Sequence, residues 1–305
     1  MRRILVINYS QTGQLNRLVS SVCTPLLTAD DIQVDFIAVQ PVTPYPFPWS
    51  LIRFFSVFPE TVLQIPQPLL PPTTELAEKY DLIILAYQVW FLSPSLPISS
   101  FLQTPLAQQI FKNTPVVTLI GCRNMWLMAQ EKVKVHLQRL QARLVDNIAL
   151  IDKCGSAASF IATPMWMFTG KQKAKSWLPK AGISEQDIKA ASRFGDRIAQ
   201  RLQEDSSAIT CSMLTGLQAV TIDEKLIASE RVGNHSFSVW AKLLYRLGPE
   251  QSIRRKFGLA VYVCFLLLLI ITVVPITTLA KKLLAPLTKK RIAKQKRYFA
   301  APSGE

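Results

Sequence analysis

Two hydrophobic patterns, one typical of buried strands and one typical of helices, alternate along the first two thirds of the chain. Residues 4–7 form a continuous apolar run, which is typical of a strand buried on both faces of a parallel sheet. In residues 14–27, Leu15, Leu18 and Val22 recur at helical spacing. The alternation continues, and it predicts strands at 4–7, 32–39, 77–87, 114–121 and 143–151 and helices at 14–27, 97–111, 125–140 and 184–203. This order predicts an α/β fold with a doubly wound, five-stranded parallel sheet of strand order 2-1-3-4-5.

The regular pattern stops in an insertion at residues 41–72. This insertion holds nine of the chain's twenty prolines together with many aromatic residues. So many aromatic residues are not typical of a polar linker or a disordered segment. We expect a partly ordered flap with a short helix near residues 50–56. This flap would either cover a binding site or touch a membrane. The alternative is an insertion packed on the core.

A second departure from the pattern lies near the C-terminus. Residues 257–280 carry no charged side chain, and these 24 residues are enough to cross a hydrocarbon core of about 30 Å as a helix. A buried core helix is the alternative. The chain is therefore predicted to consist of an α/β domain at 1–205, a connecting segment with an amphipathic helix at 206–256, a membrane segment at 257–280 and a basic tail at 281–305.

The formal net charge of +15 is concentrated around this apolar segment. Residues 231–305 hold 14 Lys and Arg against two acidic residues, whereas the first 230 residues hold 21 basic and 18 acidic ones. Basic residues that flank an apolar segment favour anionic lipid headgroups. We expect membrane lipids as a partner and no nucleic acid, and a homodimer stays open.

Two indications of how the apolar segment is oriented in the membrane conflict with a single span. Met1 is followed almost at once by the first strand, so we expect no signal peptide and an α/β domain that faces the cytosol at the cytoplasmic membrane. The positive-inside rule also places the tail in the cytosol. Both hold only if the segment bends back, for example at Pro275, or lies in the interface. Otherwise the helix spans the membrane once.

The turn between the first strand and the first helix resembles a phosphate cradle. Backbone N–H groups and the helix dipole at a helix N-terminus favour an anion. Ser10 and Thr12 add hydroxyl donors, and Gly13 allows close approach of the backbone. No Lys follows the glycine, which argues against a Walker loop, and the G-x-G-x-x-G fingerprint of a dinucleotide-binding turn is absent. A capped strand-to-helix junction without a ligand is the alternative.

Two further strands end in aromatic or polar loops. Gln88-Val89-Trp90-Phe91 follows the third strand, and Gly121-Cys122-Arg123-Asn124-Met125-Trp126 follows the fourth. In open α/β sheets ligands bind at the carboxyl ends of strands, where these loops lie.

Together the three loops resemble those of the flavodoxin-like superfamily. Ser10-x-Thr12-Gly13-x-x-Asn16 is similar to its FMN-phosphate loop, although Leu15 stands where a threonine is common. The resemblance implies non-covalent FMN and not FAD. It also implies that the cofactor is bound by Ser10, Gln11, Thr12, Gly13, Gln14, Leu15, Asn16, Gln88, Val89, Trp90, Phe91, Gly121, Cys122, Arg123, Asn124 and Trp126.

The chain further resembles the flavodoxin-like proteins of dialkylresorcinol biosynthesis. The similarity lies in residues 45–49, 87–97 and 123–130 and in the hydrophobic tail. It implies a membrane-associated FMN-dependent oxidoreductase that aromatises a lipophilic dialkylcyclohexanedione to a dialkylresorcinol. Arg123 and Asn124 would bind the developing enolate or the flavin, and Tyr87 would relay a proton. The alternatives are an NAD(P)H-dependent quinone or flavin reductase and a membrane-tethered electron carrier.

Metal and thiol chemistry is not expected. The five cysteines form no C-x-x-C pair or His/Cys cluster, so we predict a reducing compartment and no metal site. Cys122 is interpreted as a buried structural thiol. His136 is expected to be a solvated surface residue on the helix predicted at residues 125–140.

Overall fold

A computed structural model describes residues 1–153, 156–173, 175–204 and 209–304, and gives the backbone alone for 156–157, 159–160 and 274–287. Cys154 and the predicted domain boundary at 205 lie outside these residues. The strands are β1 (Arg2–Asn8), β2 (Ile32–Ala38), β3 (Leu82–Trp90), β4 (Ser93–Pro94), β5 (Pro115–Cys122) and β6 (Arg143–Ile151). The helices are α1 (Gln14–Leu27), α2 (Leu51–Ser56), α3 (Phe58–Leu63), α4 (Leu96–Phe101), α5 (Pro105–Phe111), α6 (Leu127–Arg139), α7 (Ser156–Thr169), α8 (Glu185–Ala190), α9 (Ser192–Glu204), α10 (Glu224–Arg246) and α11 (Ile253–Ala300).

Five of the strands form the predicted doubly wound sheet. Their order is β2-β1-β3-β5-β6, every pair is parallel, and Ile7 pairs with both Ile37 and Leu85. The predicted fold class and strand order are therefore confirmed. The strand count needs one correction, because the two-residue β4 pairs antiparallel with the end of β3.

Apolar side chains cover both faces of the sheet. Leu5 and Ile7 face one cluster, which also contains residues of α4, α5 and α6, whereas Ile4 and Val6 face a second cluster built with α1 and α9. All four side chains have no exposed surface. Burial on both faces explains why this strand appears in the sequence as an unbroken apolar run.

Two predicted helices are each divided in the structure. Residues 97–111 form α4 and α5, because Thr104 accepts a hydrogen bond from the Ala107 amide and begins a new helix. Residues 184–203 form α8 and α9, and the Ser184 hydroxyl caps α8 by accepting a hydrogen bond from the Asp187 amide.

The insertion is ordered and packs against the C-terminal helices. Its helices α2 and α3 fall within residues 41–72, and Phe58 forms an apolar cluster with Leu244 of α10 and Tyr262 of α11. This arrangement corresponds to the packed alternative rather than to a partly ordered flap. The short helix expected near residues 50–56 is confirmed as α2, with Ser50 as its N-cap.

The apolar segment lies within α11, a helix of 48 residues. Residues Ile253–Val273 are long and apolar enough to cross a membrane, and only 11% of the most apolar window is buried within the protein. A core helix of a soluble protein would be mostly buried, so the buried-helix alternative is disfavoured for the described part.

Candidate functional site

The loop between β1 and α1 has an open backbone geometry. Gly13 is the N-cap of α1, adopts a left-handed conformation with φ of 78°, and gives the helix no side-chain cap. A Cβ atom built on Gly13 would meet nothing within 4 Å. Glycine is needed here for its backbone conformation, and the space beside it is free.

The hydroxyls of this loop fit an anion. Among the described residues, Ser10 Oγ is buried and has no hydrogen-bond partner, and Thr12 Oγ1 accepts a long bond of 3.4 Å from the Gln14 amide. A buried hydroxyl without a partner is destabilising unless a ligand satisfies it. Ser10, Thr12 and Gly13 therefore offer what a terminal phosphate requires.

The side chains of the other loop residues that were assigned to the cofactor hold the loop in place. The Gln14 side chain bonds the backbone of Ile183, at 3.2 Å to its oxygen and 3.0 Å from its amide. Leu15 is buried against the sheet, and Asn16 Oδ1 accepts a 2.8 Å bond from Asn8. A phosphate in this loop would meet the backbone N–H groups at the start of α1.

The predicted loop after the third strand is mostly strand. Gln88, Val89 and Trp90 belong to β3, so the expectation of a long loop is wrong for them. The chain reverses at Phe91 and Leu92, whose φ angles of 49° and 57° make a two-residue hairpin turn into β4. Gln88 Oε1 accepts a 2.9 Å bond from the Gln11 amide, which ties this hairpin to the loop at Ser10.

Four aromatic rings form one cluster beside the loop. Trp90 packs edge-on against Tyr9, Tyr45 and Trp49 at centroid distances of 5.9, 5.2 and 5.5 Å. The side-chain amide of Gln11 donates hydrogen bonds to the carbonyl oxygens of Tyr45 and Pro46, and so ties the loop at Ser10 to the insertion. We call these four rings the aromatic cluster. Of the four, only Trp90 was assigned to the cofactor from the sequence, because Tyr45 and Trp49 belong to the insertion, far from Trp90 along the chain.

Burial keeps the phenols of the cluster neutral. It raises the pKa of Tyr45 to about 12 and that of Tyr9 further above its ordinary value. Both side chains can donate a hydrogen bond at physiological pH.

The loop after β5 is only partly accessible. Gly121 and Cys122, predicted as loop residues, are the last two residues of β5, and Arg123 and Asn124 follow them. All four are half-buried, and the backbone oxygen of Arg123 accepts a 2.9 Å bond from the Asp152 amide. Trp126, which was expected to contact the cofactor, is 2% exposed and packs in the core. Burial raises the pKa of Cys122, so its thiol is not poised for nucleophilic chemistry.

Tyr87 is sealed beneath the sheet ends. Its hydroxyl donates a 2.6 Å bond to Gln130, which donates a 3.0 Å bond to Thr118, and Thr118 donates a 2.9 Å bond to Asn147. Burial holds the pKa of Tyr87 well above its usual value. Tyr87 is therefore inaccessible to solvent, whereas Arg123 and Asn124 are only half-buried.

Two buried titratable groups were missed or misplaced. Glu230 has no exposed surface, accepts a 2.8 Å bond from the Met128 amide at the start of α6, and has its pKa raised to about 7 by burial. Its signal in the sequence is a carboxylate on the apolar side of α10, at helical spacing from Ile227. His136 is buried beside Gln64 rather than solvated, because the insertion covers α6, and burial lowers its pKa to about 4.

A cavity of about 940 Å³ lies between the insertion and the turn that joins α10 to α11. Its lining includes Tyr45, Arg53, Glu60, Leu96, Tyr245 and Arg255. Tyr45 belongs to both this cavity and the aromatic cluster.

The sequence matches no described protein-family profile and no curated protein. Solved structures do show a distant likeness. A WrbA-like flavodoxin from Agrobacterium tumefaciens is 10% identical, with 67% of this chain and 99% of that chain covered and a TM-score of 0.38. A flavoprotein from Lactobacillus acidophilus, solved in complex with FMN, is 12% identical, with 48% and 92% covered and a TM-score of 0.37. These likenesses are too distant to bear on function, so the assignment rests on the sheet order and loops of the chain itself.

Proposed function

We propose that this protein is an FMN-dependent oxidoreductase of the flavodoxin-like fold. One observation carries the proposal: the Ser10 hydroxyl, which is buried without a partner in the part of the chain that the structure describes, lies in a glycine-containing loop at the carboxyl end of β1. This edge of a doubly wound sheet is where ligands bind. The loop provides for one terminal phosphate and lacks the glycines that a pyrophosphate needs, which favours FMN over FAD.

The residues around this loop indicate where an organic ring would lie. Bound FMN supplies a two-electron acceptor for a hydride. Ser10, Thr12 and Gly13 would hold its phosphate, and the half-buried loop of Arg123 and Asn124 would bind the ring edge or a substrate oxygen. The aromatic cluster excludes water from this side of the site.

The proposed substrate is a lipophilic cyclic dione. Loss of one hydride and one proton converts a dialkylcyclohexanedione into a dialkylresorcinol, and aromaticity drives the reaction. A proton between two carbonyl groups is already acidic, so no strong base is required. Arg123 and Asn124 would hydrogen-bond the developing enolate oxygen. Tyr87 can act only through Gln130, to which its hydroxyl is bonded.

We further propose that the protein binds membranes through α11. Its described side chains Phe257, Leu268 and Ile271 are between 63% and 74% exposed, and basic residues flank the segment on both sides. A lipophilic substrate and product would partition into the same membrane. The α/β domain would face the cytosol.

The aromatase proposal is tested by anaerobic mixing. The purified, FMN-loaded full-length protein is mixed with a dialkylcyclohexanedione while flavin absorbance is followed. We expect the flavin to bleach and the resorcinol to appear in equal amount. If the flavin stays oxidised with the dione while NADPH bleaches it rapidly, a quinone or flavin reductase takes its place. An electron carrier would respond to neither and would accept electrons only from a partner protein.

A further inference from the structure

Both ends of α11 contact the same helix. Near its start, Tyr262 and Phe265 pack against Trp240 of α10 at 5.3 and 5.1 Å. Near its end, Phe299 lies 5.5 Å from the guanidinium of Arg231, also on α10. The helix that carries the apolar segment therefore leaves the domain and returns to it.

A straight helix cannot make these two sets of contacts. At about 1.5 Å per residue, a straight α11 would carry Phe299 roughly 50 Å beyond Phe265, whereas Arg231 and Trp240 are only about 14 Å apart along α10. The path of the chain must reverse between Phe265 and Phe299. The sequence has Pro275 and Pro286 in this interval, and proline is the usual cause of a helix kink.

The start of α11 is fastened by a buried ion pair. Arg255 is 2% exposed and donates to Glu60 of the insertion at 2.7 and 2.5 Å, and also to the Ser56 carbonyl oxygen at 2.8 Å. Phe58 stacks on Tyr262 at 4.4 Å. The first turns of α11 are thus part of the folded domain, and Arg255 is not available to lipid headgroups.

The end of α11 also packs against the folded domain. Phe299 is 3% exposed and belongs to the apolar cluster beneath the sheet. Beyond the helix, Ser303 is 1% exposed and donates a 2.8 Å bond to Asp146 of β6. On the surface, Tyr298 donates a 2.7 Å bond to Glu131 of α6.

From this geometry we infer that the apolar segment enters one leaflet of the membrane and returns without crossing it. The inference rests on the proposed membrane attachment. Arg254 and Lys256 on one flank, and Lys289 and Lys290 on the other, would lie at the same membrane surface as the α/β domain. Leu51 and Ile52 of α2 are exposed as well, and the next residue, Arg53, forms an ion pair with Glu250, which precedes α11.

Lipid fits this surface better than a second copy of the chain. Residues 257–273 of α11 carry no charged side chain, and basic residues lie on both flanks of the apolar segment without intervening carboxylates. Apolar side chains bordered by cations match the boundary between acyl chains and anionic headgroups. A single span would instead carry the residues after 287 to the far side, and would pull Phe299 and Ser303 out of the core.

Cysteine labelling in vesicles tests the inference on the full-length protein. Gln251→Cys and Lys290→Cys place one thiol before and one after the apolar segment. The exposed native Cys211 reports the α/β domain, and the exposed Cys264 reports the segment itself. Vesicles of both orientations are treated with a membrane-impermeant maleimide, and labelled peptides are located by mass spectrometry.

We expect positions 251, 290 and 211 to label from the same side, and Cys264 to label only after detergent is added. Labelling of position 290 only from the side opposite to Cys211 would overturn the inference and leave membrane attachment intact. A protein that stays in the soluble fraction with Cys264 labelled would overturn both. FMN content, measured on the same samples, reports the cofactor part of the proposed function separately.

Discussion

Ser303 Oγ donates a 2.8 Å hydrogen bond to Oδ1 of Asp146, although the two residues are 157 positions apart. Asp146 has no exposed surface and also accepts bonds from Ser212 and from the Met213 amide. One buried carboxylate on β6 thus holds both the segment after α9 and the last residues of the chain. The end of the predicted basic tail, at Phe299 and Ser303, is therefore part of the core.

Replacing this hydroxyl should destabilise the fold. We expect Ser303→Ala to lower the free energy of unfolding by about 1.5–3 kcal/mol, because a hydrogen bond to a buried carboxylate is lost. Chemical denaturation measures the change. Ser20→Ala, at an exposed serine on α1, should change stability by less than about 0.5 kcal/mol. Equal stabilities of Ser303→Ala and the wild type would show that the tail does not dock.

The loop hydroxyls should affect cofactor affinity and apoprotein stability in different ways. Ser10→Ala removes a donor to the phosphate, so we expect FMN affinity to weaken by about 1.5–3 kcal/mol. The same change removes a buried hydroxyl without a partner, so the apoprotein should be unchanged or slightly more stable. Thr12→Ala should weaken FMN binding by a similar amount. Fluorescence titration measures affinity with Ser20→Ala as control, and full flavin occupancy in the double variant argues against this site.

Two neighbouring arginines should differ sharply in their effect on stability. Arg255→Ala leaves Glu60 without its partner inside the protein, and we expect a loss of about 3–5 kcal/mol. Arg254→Ala, at the exposed residue next to it, should change stability by no more than about 0.5 kcal/mol. Thermal or urea unfolding distinguishes them, and similar midpoints for the two variants would mean that the insertion does not hold α11.

Glu230 should give a pH-dependent difference between wild type and Glu230→Gln. Its pKa is raised from 4.5 to about 7 by burial, so the folded state binds more protons than the unfolded state between these values. Stability linked to this group is present below pH 4.5 and is lost as pH rises through 7, by roughly 3 kcal/mol. As pH rises over this range, we expect the free energy of unfolding of Glu230→Gln to increase relative to that of the wild type. A constant difference between pH 4.5 and 8 would contradict it.

The variant comparison is needed because His136 titrates in the same range with the opposite sign. Burial lowers its pKa from 6.5 to about 4, so it favours the folded state above pH 6.5 and ceases to do so as pH falls through 4. Subtracting the wild-type curve from the Glu230→Gln curve removes this contribution. Glu78→Gln, at an exposed carboxylate, serves as the control.

Charges on the exposed face of α11 should prevent membrane binding. We expect Leu268→Lys with Ile271→Lys to reduce partitioning into anionic vesicles about tenfold or more, because each lysine in the hydrocarbon costs about 2–3 kcal/mol. Val232→Lys is a matched control, since Val232 is 71% exposed and Ile271 is 72% exposed. Flotation with vesicles measures the effect. Equal loss in the control would point to a general defect in the protein.

The sequence alone determined the sheet, its strand order and the apolar segment. Parallel strands buried on both faces appear as short apolar runs, and connections between them follow fixed rules, so local patterns suffice. The loop at Ser10 was predictable for the same reason, since strand, turn and helix are adjacent in the chain. Gly13 has the left-handed conformation that its place in this turn suggests.

Only the tertiary structure decided which side chains are covered and by what. Hydrophobic periodicity tells which face of a helix is buried, but the insertion that covers His136 lies about 70 residues away along the chain. The same holds for Glu230 beneath α6 and for Ser303 beside Asp146, whose partners are more than 100 positions distant. The hairpin at Phe91 and Leu92 carries none of the glycine or asparagine residues that usually mark such a turn. Packing between distant parts of the chain fixed these features, and no local pattern records it.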